Sequence, residues 1–211
     1  KILTFLLVPL YTSILSTVEY GSYDIVITTI NLLLPILTIN ISESVMRFSL
    51  EKNNDNKETF SIGLKVIVRA WIILALAIAI NNIFNIIAII KTYSLYMLLL
   101  FLATSLYQLC SQFARGTDKI VDLSIAGVIN SFTMVLLNVL FLIYFKLGIA
   151  GFFLASILSY LIAIVYYIFK LKIYKQIVRP KTSNHMSKSM TDYSRPLILN
   201  SISWWINNAS D

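Results

Sequence analysis

Apolar residues in this chain run in blocks of about twenty separated by short polar stretches, the length that crosses the hydrocarbon of a bilayer as an α-helix. Seven stretches approach or reach that length: 1–15, 23–42, 62–81, 93–113, 123–145, 149–169 and 193–211. The first and last read as shortened spans, because the chain enters and leaves in the middle of apolar sequence. A signal peptide at KILTFLLVPLYTSILS is the weaker reading, since further spans follow and no small-residue cleavage site is clear. The predicted fold class is all-α and polytopic: a six-helix transmembrane lobe over 1–169, a cytoplasmic basic linker over 170–190, and the first helix of a second lobe over 191–211.

Within these blocks the polar residues are not scattered. In the second span Asp24, Thr28, Asn31, Pro35, Thr38 and Ser42 are spaced 4, 3, 4, 3 and 4, which places them on one face of a continuous helix. In lipid such a face must turn toward other helices or a water-filled cavity. The bland alternative is that Thr and Asn bond neighbouring helices as packing contacts. Pro35 removes a backbone donor and is expected to permit a kink. Ser105, Gln108, Gln112 and Arg115 repeat the pattern at the end of the fourth span, Ser124, Gly127, Ser131 and Asn138 in the fifth, and Asn200, Ser203, Asn207 and Asp211 in the last. The candidate cavity lining is Asp24, Thr28, Asn31, Thr38, Gln108, Gln112, Asn200 and Asn207. Asp211 is expected deep in the membrane, where an unpaired acid costs at least about 2.5 kcal/mol; it is a candidate for ion coupling.

Charge then orients the spans. With the N-terminus cytoplasmic, 15 of the 17 Lys and Arg residues fall in or beside inside segments, and Lys91 and Lys146 remain outside. The stretch 170–188 holds Lys170, Lys172, Lys175, Arg179, Lys181 and Lys188 and no acid, so it should attract anionic lipid headgroups. Ile173, Tyr174, Ile177 and Val178 recur at helical spacing, which predicts a surface helix ended by Pro180; a solvated loop is the alternative.

Two charged pairs interrupt the apolar pattern, Glu43 with Arg47 and Lys65 with Arg69, each at i and i+4 and so able to meet. On a helix continuous from residue 24, Glu43 and Arg47 lie about 100–140° round from the polar stripe, which counts against both lining one cavity. Glu43 is a candidate for ion coupling or for surface anchoring. Arg47 and Arg69 are candidates for an anionic headgroup, because guanidinium holds phosphate oxygens in a bidentate fork.

Composition narrows the chemistry. Hydrophobic residues make up 58% and charged residues 13%, about half the usual charged share of a soluble domain. The single Cys110 excludes a disulfide framework, and His185, the lone histidine, leaves no zinc site or His-based triad. No cofactor, no metal and no nucleic-acid partner are expected. No HExxH, GxSxG, P-loop or CxxC occurs, and the acids are too scattered for sugar chemistry, so the chain does not read as an enzyme.

Three stretches together carry a resemblance. LLVPLYTSILSTVEYGSYDIV at 6–26, LLLPILTINISESVMRFSL at 32–50 and YSRPLILNSISWWINNASD at 193–211 resemble, in order and spacing, the polysaccharide biosynthesis flippases of the multidrug/oligosaccharidyl-lipid/polysaccharide exporter superfamily. That resemblance implies two six-helix lobes facing each other across a central cavity with alternating access. Its implied passenger is an undecaprenyl diphosphate-linked oligosaccharide, its location the cell membrane, and its partners the polysaccharide assembly machinery. Arg47, Arg69, Arg115 and Arg195 would then bind the headgroup. A multidrug or cation antiporter of the same superfamily is the competing transport reading and would want acids in the cavity. A membrane polysaccharide polymerase is less favoured, since the outside stretch near 82–92 carries Lys91 as its one charge.

Overall fold

The structure, a computed structural model, describes residues 15–51, 54–177 and 184–210. Eight α-helices follow in order among these residues: α1 Thr17–Leu37, α2 Ile41–Leu50, α3 Asn56–Phe84, α4 Ala88–Thr92, α5 Ser94–Gly116, α6 Ile120–Val139, α7 Gly148–Lys170 and α8 Asn184–Ser210. A π-helical turn, Leu140–Tyr144, prolongs α6, and a 3-10 turn, Ile173–Lys175, follows α7. No strand occurs among the described residues.

Local chemistry sets the ends. Ser16 caps α1 through a reciprocal pair: the Glu19 N–H donates to Ser16 Oγ, and the Ser16 N–H donates to Glu19 Oε2 at 2.9 Å. Asp55 caps α3 by accepting from the Lys57 N–H at 2.9 Å. At the far end of α3, Asn85 adopts a left-handed conformation, and the buried Asn81 side chain bonds both the N–H and the carbonyl of Ile87, clamping the turn into α4.

Five helices are long and apolar enough to cross a membrane: Thr17–Leu37, Asn56–Phe84, Ser94–Gly116, Ile120–Tyr144 and Gly148–Lys170. They correspond to the predicted spans 23–42, 62–81, 93–113, 123–145 and 149–169. The predicted span 1–15 lies, apart from Leu15, outside the described residues. Of the predicted span 193–211, residues 193–210 fall within α8, whose polar residues keep it out of that set. Outward faces of the bundle are apolar, with Ile72, Ile73, Leu76 and Ile80 on α3 and Val128, Phe132 and Leu136 on α6 all exposed, as lipid contact requires.

Helix α5 is the axis, packed against α1, α2, α3, α6 and α7. Lipid tails are as apolar as leucine, so association depends on close approach rather than on escape from water. Small residues supply it. Gly151, Ala155, Ser159 and Ala163 repeat every fourth position on α7 and are all buried. Gly63 and Gly116 admit α2 between α3 and α5: a Cβ at Gly63 would stand 2.6 Å from Val45 Cγ2, and one at Gly116 2.5 Å from the Met46 carbonyl oxygen.

One feature of α1 departs from expectation. The helix runs through Pro35 and stops two residues later, where the Thr38 N–H still reaches the Leu34 carbonyl. The break falls at Ile39 and Asn40, both with positive φ, 54° and 50°. Helix α2 restarts from there in its own phase, so an angular position projected from residue 24 does not carry past residue 38. The predicted surface helix after Lys170 is likewise a three-residue 3-10 turn: Ile173 is buried in the bundle, Tyr174 and Ile177 are exposed, and Val178 lies outside the described residues. Lys170, Lys172, Lys175 and Lys188 are exposed there, while Arg179 and Lys181 lie outside the described residues.

Candidate functional site

The polar stripes meet where α1, α2, α5 and α8 converge. A cavity of about 360 Å³ is lined by Asn31, Leu34, Pro35 and Thr38 of α1 and its end, Asn40, Ser42 and Glu43 at the start of α2, Tyr107, Gln108, Ser111, Gln112 and Arg115 of α5, and Ser201 of α8. A second cavity, also about 360 Å³, continues from it along α1 and α8, lined by Asp24, Ile27, Thr28, Asn31, Ser201, Trp204 and Trp205. Asn31 and Ser201 belong to both and form the neck between them. A third hollow of about 220 Å³ is lined by Asn200, Ser203, Trp204 and Asn207, with Trp204 at its border with the second.

All eight residues expected to line a cavity therefore face one of these three hollows. The spacing that places them is helical: i, i+4, i+7 on α1 and i, i+4 on α5 bring amide and hydroxyl groups to one side. The α1 stripe turns away from the apolar cluster that α1 contributes to, in which Val26, Ile30 and Leu34 are buried against α3, α5 and α7.

Charged residues divide. Glu43 faces the first cavity, and its Oε1 accepts from Gln112 Nε2 at 2.5 Å. Gln112 Oε1 is buried without a hydrogen-bond partner among the described residues, leaving an acceptor unmet at the cavity wall. Arg115, on the same face of α5, is exposed and lines the same cavity. Arg47, Arg69 and Arg195 are not among the residues that line it. Arg47 points away from Glu43, lies 3.9 Å from Glu51 and stacks 4.4 Å above the Tyr193 ring of α8. The expected Glu43–Arg47 contact does not form; Glu51, just past the end of α2, offers Arg47 a carboxylate, and Tyr193 of α8 offers it an aromatic face. Arg69 is exposed on α3 beside the outward residues Val68, Ile72 and Ile73. Arg195 is exposed and lies 3.4 Å from Asp192. Asp24, exposed, belongs to the second cavity, and Asp211 lies outside the described residues.

Polar contacts join α8 to α1 and to the break that follows it. Asn40 Nδ2 donates to Ser201 Oγ at 2.8 Å, and Trp205 Nε1 donates to the Thr28 carbonyl at 2.9 Å. At the basic end, Ser44 Oγ donates to the Met190 carbonyl at 2.6 Å, joining α8 to α2. Sequence reasoning missed Asn40, Tyr107, Ser111 and Ser201 as lining residues. Tyr107 and Ser111 precede Gln108 and Gln112 by one position each, so the i, i+4 pairing there widens the polar face by a residue. Asn40 enters through the helix break, which nothing in the hydropathy pattern announces.

Five membrane-length helices, four of them around the axial α5, with a polar hollow walled by helix faces that turn from lipid, define a multi-pass helical membrane protein. A family model described as polysaccharide biosynthesis protein matches residues 1–211, and the chain belongs to that family. Comparisons with curated proteins and with solved structures find no match. The family resemblance read from the three sequence stretches is thus borne out, and the chain is a membrane protein of polysaccharide biosynthesis.

Proposed function

We propose that the protein is a flippase that moves lipid-linked oligosaccharide repeat units across the cell membrane by alternating access, with its N-terminus cytoplasmic, and that it is not an enzyme. The passenger would be an undecaprenyl diphosphate-linked oligosaccharide, delivered to cell-surface polysaccharide assembly machinery. The observation that carries this reading is Arg115 at a cavity otherwise walled mainly by amides and hydroxyls. Such a wall solvates sugar hydroxyls without holding them tightly, and a guanidinium binds diphosphate oxygens in a fork. The hydrogen bonds from α8 to α1 and to the break after it are single ones, each worth about 0.6 kcal/mol in a membrane, so this seam would open at low cost. The exposed lysines at 170, 172, 175 and 188 would hold anionic lipid headgroups at the basic end. Arg47, Arg69 and Arg195, which do not line the cavity, would act outside it, against headgroups or neighbouring helices.

Replacing Arg115 with Ala in the full-length protein should abolish surface polymer at unchanged protein level, and Arg69→Ala should leave it intact. Normal polymer in the Arg115 variant would remove Arg115 from the site.

A second reading has its own observation. Glu43 and Asp24 face the cavities alongside one arginine, which is a charge balance that suits a cationic solute or a coupling cation. A cation antiporter would retain transport of an organic cation when Arg115 is lost and lose it when Glu43 is neutralised.

A further inference from the structure

The paired tryptophans of α8 do different work. Trp205 is half-buried and tied to the α1 backbone through its indole N–H. Trp204 is 63% exposed, and its ring has no hydrogen-bond or ring partner among the described residues. It does not belong to the outward apolar edge of α8, which is formed by Leu199 and Ile206, seven positions apart. Asn200, Ser203, Trp204 and Asn207 instead recur at i, i+3, i+4 and i+7, so one helical face presents a large flat ring among two amides and a hydroxyl. On its other side Trp204 borders the hollow containing Asp24 and Thr28.

A bare aromatic ring among short hydrogen-bonding side chains matches one kind of ligand. A pyranose has a face of C–H groups and an edge of hydroxyls. The C–H hydrogens carry partial positive charge and meet the negative face of the indole, while amide and carboxylate groups at the rim bond the equatorial hydroxyls. An acyl chain would satisfy the ring and leave the amides unpaired; a bare diphosphate would be repelled by the ring face. We infer that Trp204 is a stacking platform for a sugar ring of the passenger, with Asn200, Asn207 and Asp24 bonding its hydroxyls. The saccharide and the diphosphate would then occupy different parts of the polar track, the sugar at Trp204 and the phosphates toward Arg115, with Asn31 and Ser201 between them. This subsite rests on the flippase reading.

The test uses the full-length protein in lipid nanodiscs and titrates three probes: undecaprenyl diphosphate, the same lipid bearing N-acetylglucosamine, and the same lipid bearing galactose. Wild-type protein should bind both glycosylated probes on the order of tenfold more tightly than the bare diphosphate. Trp204→Ala should erase that difference while leaving affinity for the bare lipid unchanged, and Trp204→Phe, which keeps a ring, should restore most of it. Leu199→Ala serves as the folding control, since that side chain lies on the outward edge of α8 and lines none of the hollows. Equal binding of bare and glycosylated lipids by wild type, or a preference that survives in Trp204→Ala, overturns the subsite and leaves the flippase reading standing. Binding of none of the three lipids overturns both. Trp204-dependent binding of choline with no sugar preference would assign the ring to a cation instead.

Discussion

Gly116 sits at the last turn of α5, one residue after Arg115, and faces the backbone of α2. A methyl group there would lie 2.5 Å from the Met46 carbonyl oxygen, 2.8 Å from Ser49 Cβ and 3.0 Å from Met46 Cα, where ordinary contact begins near 3.4 Å. Two of the three atoms are backbone and cannot rotate aside, so α2 itself must retreat by close to 1 Å. Overpacking of this kind costs up to about 3 kcal/mol. Alanine's better helix propensity returns about 1 kcal/mol, leaving a net loss of about 2 kcal/mol. The same retreat carries Glu43 away from Gln112 and stretches their 2.5 Å bond past hydrogen-bonding range. Gly127→Ala, on α6, is the internal control, because nothing lies within 4 Å of the methyl it adds. Thermal denaturation of the purified full-length protein in detergent should place Gly116→Ala clearly below both wild type and Gly127→Ala. A Gly116→Ala protein as stable as wild type would refute the placement of α2 in the cleft.

Two further outcomes follow from the cavity wall. Glu43→Gln keeps an acceptor for Gln112 and removes the charge; vesicles carrying it should transport without response to an imposed sodium or proton gradient, and a preserved response would exclude Glu43 as the coupling group. Trp205→Phe removes the indole bond to the Thr28 carbonyl, which should cost about 0.6 kcal/mol and raise the labelling rate of a cysteine at Thr28. An unchanged rate would mean that this contact does not hold the α1–α8 seam.

Much of the bundle is legible from hydropathy because a membrane leaves a helix few alternatives: its backbone must be satisfied within the segment, and about twenty apolar residues must cover it. The cavity face of α1 is legible for the same reason, since polar residues at a 3.6 spacing cannot point into lipid. The placements of Arg47 and Arg69 were not. Guanidinium groups near a helix end can snorkel, stack or pair with whatever acid is nearest, so Arg69 reaches the outer face and Arg47 finds Glu51 and Tyr193. The cavity position of Glu43 is not legible from angular spacing, because a two-residue left-handed break at Ile39 and Asn40 resets the helical phase, and no glycine marks it. Trp204 was visible only as part of a dipeptide; which of the two rings is held and which is bare depends on the contact of α8 with α1.

The central claim is that the aligned polar residues of α1 surround water. Single cysteines at Thr28, Asn31 and Thr38, introduced into the full-length protein with the buried Cys110 replaced by Ala, test it against cysteines at Ile72 and Leu76 on the outward face of α3. A hydrophilic thiol reagent should label the three α1 positions rapidly and leave the two α3 positions unlabelled. Protection at all five positions would mean a dry packed seam and would contradict the account.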